Sequence, residues 1–182
     1  EARRPARPRK PRGFRAPVLL LLAALLAVGA IATAFVAFGN DDEGGASNAT
    51  NVRVSAVGVY DPPPGDGTEH DDIVGNATDG NPDTYWTTET YSSFDKPGVG
   101  IVLDAESGVE LSELTLTTDT PGFTAVIQGS NSPDGGFKTI SDSQTVAEQT
   151  TFDLRGGTFR YYLIWITSLE SRAHINEVRA RS

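Results

Sequence analysis

Cysteine and methionine are both absent from the 182 residues, and histidine occurs only twice. Without thiols there is no disulfide framework, iron–sulfur cluster, thiolate zinc site or cysteine nucleophile. The two histidines, His70 and His174, lie 104 positions apart and do not make a zinc motif. No G-x-S-x-G elbow is present, nor a Gly-rich phosphate loop, an HRD or a DFG, so neither a hydrolase nor a kinase centre can be read from the chain. With no Met at position 1, the chain is expected to be a fragment or a processed product.

Charge is present but segregated. Residues 1–17 hold seven basic side chains and one acidic, a net of +6, while the other 165 residues hold eight basic and 23 acidic, a net of −15. Between the two poles, Val18 to Phe38 run for 21 residues without a charge, Asn, Gln or Pro. At 1.5 Å per residue this run spans about 30 Å, the thickness of a bilayer's hydrocarbon core. Its twelve Leu, Val, Ile and Phe residues contribute on the order of −4 to −7 kcal/mol to insertion. The run is apolar on every side and longer than the apolar region of a cleavable signal, so a transmembrane helix is expected over 18–38. The basic flank predicts a cytoplasmic N-terminus and an extracytoplasmic remainder at the cell membrane. Residues 39–51, rich in Gly, Asn and acid, read as a flexible tether reaching about 20 Å.

From Val52 onward the pattern changes to short β-like runs separated by Pro-Gly, Asp-Gly and Gly-Gly turns. Eight strands are predicted, over 52–60, 100–104, 111–118, 123–130, 138–143, 150–155, 159–169 and 174–181. In 159–169 both faces are apolar, which predicts a central strand, with Trp165 as a structural residue. The expected fold is all-β, an eight-stranded antiparallel jelly-roll sandwich over 52–182. No helical periodicity follows residue 40. The longest segment without a strand, 61–98, is long enough to be a functional or well-tied loop.

Inside that segment stands Ala77-Thr78-Asp79-Gly80-Asn81-Pro82-Asp83-Thr84-Tyr85-Trp86. It resembles the A-x-D-G-(N/D)-x-x-T-x-W signature of discoidin-like domains, also called coagulation-factor C-type or galactose-binding-like. The aromatic run of 160–167 and the closing Ile175-Asn176-Glu177-Val178 fit the same family, so the resemblance covers Asn51 to Ser182. A basic Pro-rich segment, one helix and such a domain are together similar to the outer parts of actinobacterial membrane proteins, serine/threonine kinases among them. The resemblance implies a jelly roll that binds a cell-envelope ligand, a glycan foremost, or serves as a sensor, without catalysis. Two alternatives stay open: the outer fragment of a transmembrane kinase, and an outer domain that docks an envelope protein and takes no small ligand.

The same resemblance implies a structural Ca²⁺ held by side-chain oxygens of Asp79 and Thr84, carbonyls of Ala77 and Asn81, and the Glu177 carboxylate. The alternative is that Asp79 and Asn81 cap an Asx-type turn while Glu177 pairs with a base. Trp86 is expected in the core. Candidate ligand-binding side chains are Tyr60, His70, Tyr85, Tyr91 and Phe94, at loop or strand ends. Asp66, Glu69, His70, Asp71 and Asp72 form an acidic cluster, expected either as a solvated loop or as a second cation or pH-sensing site. His174 is expected to be structural. A net charge of −15 disfavours nucleic acid as a partner. Asn48-Ala49-Thr50 and Asn76-Ala77-Thr78 are glycan acceptors only in a host that modifies them, and a bacterial host is expected.

Overall fold

A computed structural model describes residues 49–182 of the protein. The basic segment 1–17, the apolar run 18–38 and all but the end of the tether lie outside the described residues. Among the described residues no helix is long and apolar enough to cross a membrane.

Twelve strands are present among those residues. In chain order they are β1 (Asn51–Val52), β2 (Ser55–Tyr60), β3 (Trp86–Thr87), β4 (Val99–Val109), β5 (Glu113–Thr117), β6 (Thr124–Ser130), β7 (Lys138–Thr139), β8 (Gln144–Thr145), β9 (Gln149–Asp153), β10 (Phe159–Ser168), β11 (His174–Ile175) and β12 (Glu177–Arg181). All pairings are antiparallel. A four-stranded sheet has the order β1-β12-β5-β9, and a larger one the order β2-β4-β10-β6-β7 with β8 also on β6. β3 and β11 form a small third ribbon. The architecture is the antiparallel jelly-roll sandwich that the strand pattern predicts.

Period-two alternation explains which side chains meet. Leu114 and Leu116 of β5, Phe152 of β9, and Val178 and Ala180 of β12 point inward, and their polar neighbours point out. Across the gap they meet Ile101 and Leu103 of β4, Ile127 of β6, and Tyr162, Ile164 and Ile166 of β10. Each large side chain buried completely contributes roughly 1.5–3 kcal/mol relative to exposure. β10 is central, between β4 and β6, and both of its faces are covered. On its outer face Leu163 and Trp165 join Val102 and Val126 under Tyr60, Phe137 and Tyr161.

The structure departs from the eight expected strands in several places: the strand expected over 100–104 runs from Val99 to Val109, only Lys138–Thr139 of 138–143 is strand, and β8 falls just beyond it. The first and last predicted strands each break, at Arg53-Val54 and at Asn176, as the chain moves from one paired neighbour to another. The segment 61–98 also carries structure of its own: a 3₁₀ segment, Asp71–Thr78, and the short strand β3. Neither is visible as periodicity, because a 3₁₀ run this short and a two-residue strand are too brief to repeat.

Gly100 shows how tightly the large sheet is built, since a Cβ there would lie 1.8 Å from the Ile164 carbonyl oxygen. Gly58, on the edge strand β2, has open space in the same direction. Gly100→Ala is therefore expected to lower stability by about 3 kcal/mol or to prevent folding. Gly58→Ala is expected to stay within about 0.5 kcal/mol of wild type. Urea unfolding of the two variants measures the contrast.

Candidate functional site

One end of the sandwich gathers the segment 61–98, the turn 118–123 between β5 and β6, and the turn 169–173 between β10 and β11. What fixes this end is a buried polar cluster. Glu69 and Asp61 have no exposed side-chain surface, and the Lys96 ammonium lies 2.5 Å from Asp61 Oδ1 and 3.2 Å from Glu69 Oε1. Lys96 Nζ also donates to the Tyr91 hydroxyl at 2.9 Å, and that hydroxyl donates to Glu69 Oε1. The second oxygen of Glu69 accepts from the Glu89 amide at 2.6 Å, and its carbonyl accepts from Trp86 Nε1 at 2.7 Å. Burial pushes the Glu69 carboxyl above the usual range, against the opposing pull of the Glu89 amide and Lys96. Burial also works against the charge on Lys96, but its hydrogen bonds to Asp61 and Glu69 outweigh this and raise its pKa. The asymmetry follows access to water: Glu69 has none, and Lys96 keeps 13% of its side chain exposed.

The acidic cluster of 66–72 is therefore not one solvated loop. Glu69 turns inward to Lys96, while Asp66, His70, Asp71 and Asp72 stay exposed. His70 takes the left-handed conformation, φ 52°, that turns the chain into the 3₁₀ segment, and its side chain caps nothing. No local pattern signals this pairing, because Lys96 lies 27 residues from Glu69.

Four of the candidate calcium residues, Asp79, Asn81, Thr84 and Glu177, are joined around one turn. Asp79 Oδ1 accepts from the Asn81 amide at 2.8 Å, and Thr84 Oγ1 donates to Asp79 Oδ2 at 2.8 Å. Gly80, at φ 82°, turns its amide to Glu177 Oε1 at 2.7 Å, joining the loop to β12. Asn176 Nδ2 adds a bond to the Pro82 carbonyl at 3.0 Å. Asp79 and Asn81 thus make Asx-type bonds, whereas Glu177 meets a backbone amide and not a base. Glu177 is 7% exposed and has no cationic partner among the described residues. The donors are all oxygens, which suits a hard divalent cation. Among the described residues no three Asp, Glu or His side chains cluster, so main-chain carbonyls such as those of Ala77 and Asn81 would have to complete the set.

The five candidate ligand residues separate by exposure. Tyr60 packs on Phe137 and Trp165 at ring distances of 5.1 and 5.7 Å. Tyr91 and Phe94 meet edge to face at 5.1 Å and lean on the core. Trp86 is fully buried, and Trp165 is 9% exposed. His70 is exposed without a stacking partner among the described residues, and Tyr85 is 36% exposed with its ring stacked on the His174 imidazole at 3.9 Å and 5°. His174 is held in turn by Asp119, whose Oδ1 lies 2.7 Å from Nδ1, and its amide donates to Thr120 Oγ1 at 2.7 Å. Nε2 of His174 is buried without a hydrogen-bond partner. Thr120 lines a shallow groove of about 280 Å³ with Pro121, Gly122, Glu170, Ser171 and Arg172. Tyr85 is among the residues expected from the sequence, but this groove and the stack on His174 are not, since Tyr85 and His174 meet only through the pairing of β3 with β11.

No family model matches the chain, and none of the curated proteins does. Solved structures do resemble it, and the likeness shows its fold, the antiparallel jelly-roll sandwich. The CBM32 carbohydrate-binding module of AlyQ, solved with 4,5-unsaturated mannuronic acid, superposes with a TM-score of 0.55 at 19% identity, over 72% of this chain and 97% of that one. A chitosan-binding module from a chitosanase/glucanase of Paenibacillus sp. IK-5 gives 0.51 at 17% identity, over 72% and 96%. The module CpGH89CBM32-6 of Clostridium perfringens gives 0.50 at 17%, over 71% and 91%.

Lys96→Met leaves two carboxylates buried without their cation and is expected to cost about 3 kcal/mol in urea unfolding. Folding raises the Glu69 pKa, so the native state holds its proton longer than the unfolded chain. This group's contribution is expected to fall as pH climbs from the ordinary glutamate range through the raised value. Glu69→Gln should flatten that part of the profile. The Lys96 contribution has the other window: it is fully present below the ordinary lysine pKa and is lost as pH rises through the raised one.

Proposed function

We propose that the chain is a non-catalytic glycan-binding protein, displayed outside the cell membrane on the single helix expected over 18–38. The carrying observation is an exposed aromatic ring, Tyr85, locked in place by His174 and Asp119 beside a polar groove. A rigid aromatic face with convergent hydroxyl, carboxylate and guanidinium groups is the usual composition of a small-ligand site. It binds a sugar by covering one apolar face of the ring while Thr120, Glu170 and Arg172 meet its hydroxyls. The stack on His174 removes the ordering cost that a free tyrosine would bear. The likeness to carbohydrate-binding modules supports the reading, and the ligand belongs to the cell envelope if the anchor and its orientation hold. A sensing role would follow from the same topology, with an occupied outer domain joined to a cytoplasmic tail.

Tyr85→Ala is expected to lower the affinity for a glycan selected on an array of envelope sugars by roughly tenfold, with the unfolding midpoint unchanged. Glycan binding equal to wild type by this variant, or no glycan bound by the wild type, would rule the reading out.

We propose further that Ca²⁺ stabilises the Asp79 turn through Asp79, Thr84 and Glu177, with the Ala77 and Asn81 carbonyls. The support is the buried Glu177 carboxylate and the all-oxygen donor set. Calcium at a hundredfold its Kd is expected to add about 2.7 kcal/mol to stability, and Glu177→Gln to abolish the gain. Thermal unfolding with Ca²⁺ and with a chelator measures both.

A further inference from the structure

The outer face of the four-stranded sheet gathers arginines in a domain that is otherwise acidic, with Glu113 and Asp153 paired at one side of the same face. Residues 49–182 contain eight basic and twenty acidic side chains, yet three of the eight, Arg53, Arg179 and Arg181, line one groove of about 590 Å³. Register explains the gathering. Arg179 and Arg181 alternate with the inward Val178 and Ala180 on β12, and Thr115 and Thr151 follow Arg179 across β5 and β9. Val52 pairs with Ala180, so Arg53, one position further on, comes to the level of Arg179. The result is a row of two guanidiniums and two hydroxyls across the sheet, with the hydroxyls 3.0 Å apart.

This arrangement is costly without an occupant. Like charges on neighbouring strands destabilise a sheet. The single acid of the groove, Glu113, approaches only Arg181, at a loose 3.8 Å. Arg53 and Arg179 make no ion pair among the described residues. Lys96, Arg155 and Arg160 each lie against a carboxylate at 2.8 Å or less. The other cations without an ion pair among the described residues, Lys138 and Arg172, do not stand beside a second cation on a neighbouring strand as Arg53 and Arg179 do.

We propose that this groove is a second binding surface, away from the loop end, for an anionic polysaccharide. Carboxylates along the chain pair with Arg53 and Arg179, and sugar hydroxyls meet Thr115, Thr151 and the Gln149 amide. Guanidinium forks suit carboxylates, and charge-assisted bonds of this type are the stronger ones. Hydroxyls and an amide beside the arginines match a polymer bearing both acid and hydroxyl groups. A planar lipid surface offers no equivalent chain to enter a groove. The overall acidity of the domain then works as a filter, since an acidic polymer is repelled everywhere except along this row.

The test uses the full chain in a nonionic detergent, with polygalacturonate as probe and its fully methyl-esterified form as the uncharged control. Wild type is expected to bind the acid form, to lose it as added salt screens the arginines, and to ignore the ester. Arg53→Glu with Arg179→Glu should weaken binding at least roughly tenfold with unfolding unchanged, and Glu113→Gln should tighten it. If the double variant fails to fold, Arg179→Gln takes its place, with a smaller loss expected. Failure to bind polygalacturonate, equal binding of the ester, or equal binding by a folded arginine variant would each overturn the proposal. So would binding to phosphatidylglycerol vesicles in place of the polymer.

Discussion

The loop end of the molecule depends on one carboxylate that water does not reach. Glu69 accepts from Lys96, from Tyr91 and from the Glu89 amide, and its carbonyl accepts from the indole of Trp86. These partners come from the far side of the segment 61–98, so a single residue closes a long stretch of chain. Trp86 supplies the apolar half of the same fastening, fully buried against the main core. Because each ion in such a cluster is stable only while the others are present, the segment is expected to hold or open as a whole. Tyr85 and the Asp79 turn are positioned by this fastening, since they lie between Glu69 and Trp86 in the chain.

How much of this was legible depends on how far apart the partners are in the chain. The strand pattern was readable because burial on a sheet repeats every second residue: Leu114, Leu116 and Phe152 alternate with polar neighbours. The central place of β10 was readable because an apolar outer face, Leu163 with Trp165, has no use on an edge strand. The gathering of Asp79, Thr84 and Glu177 came from a family resemblance, not from spacing. Nothing local distinguished Glu69 from Asp66 or Asp71, although one is buried and the others are solvated. The stack of Tyr85 on His174 and the row of Arg53 with Arg179 also depend on strand register, which composition does not encode.

Two kinds of polar group have thus been placed differently by the same fold. At the loop end, charge is neutralised inside the protein, and what faces outward is a ring and a set of hydrogen-bonding groups. On the sheet face, charge is left without a partner, and the row lies on regular strands whose geometry the core fixes. A neutral sugar needs the first arrangement, because its recognition depends on shape and on a few directional bonds. An acidic polymer needs the second, where positive charge repeats on a rigid surface and attraction acts before contact. β1 pairs at the Arg181 end of β12, whereas the Asp79 turn meets its Glu177 end, so the arginine row lies away from the loop end along the same strand. A polymer held along the row would leave the loop end, formed at the Thr117 end of β5 and the Glu177 end of β12, open to a second ligand.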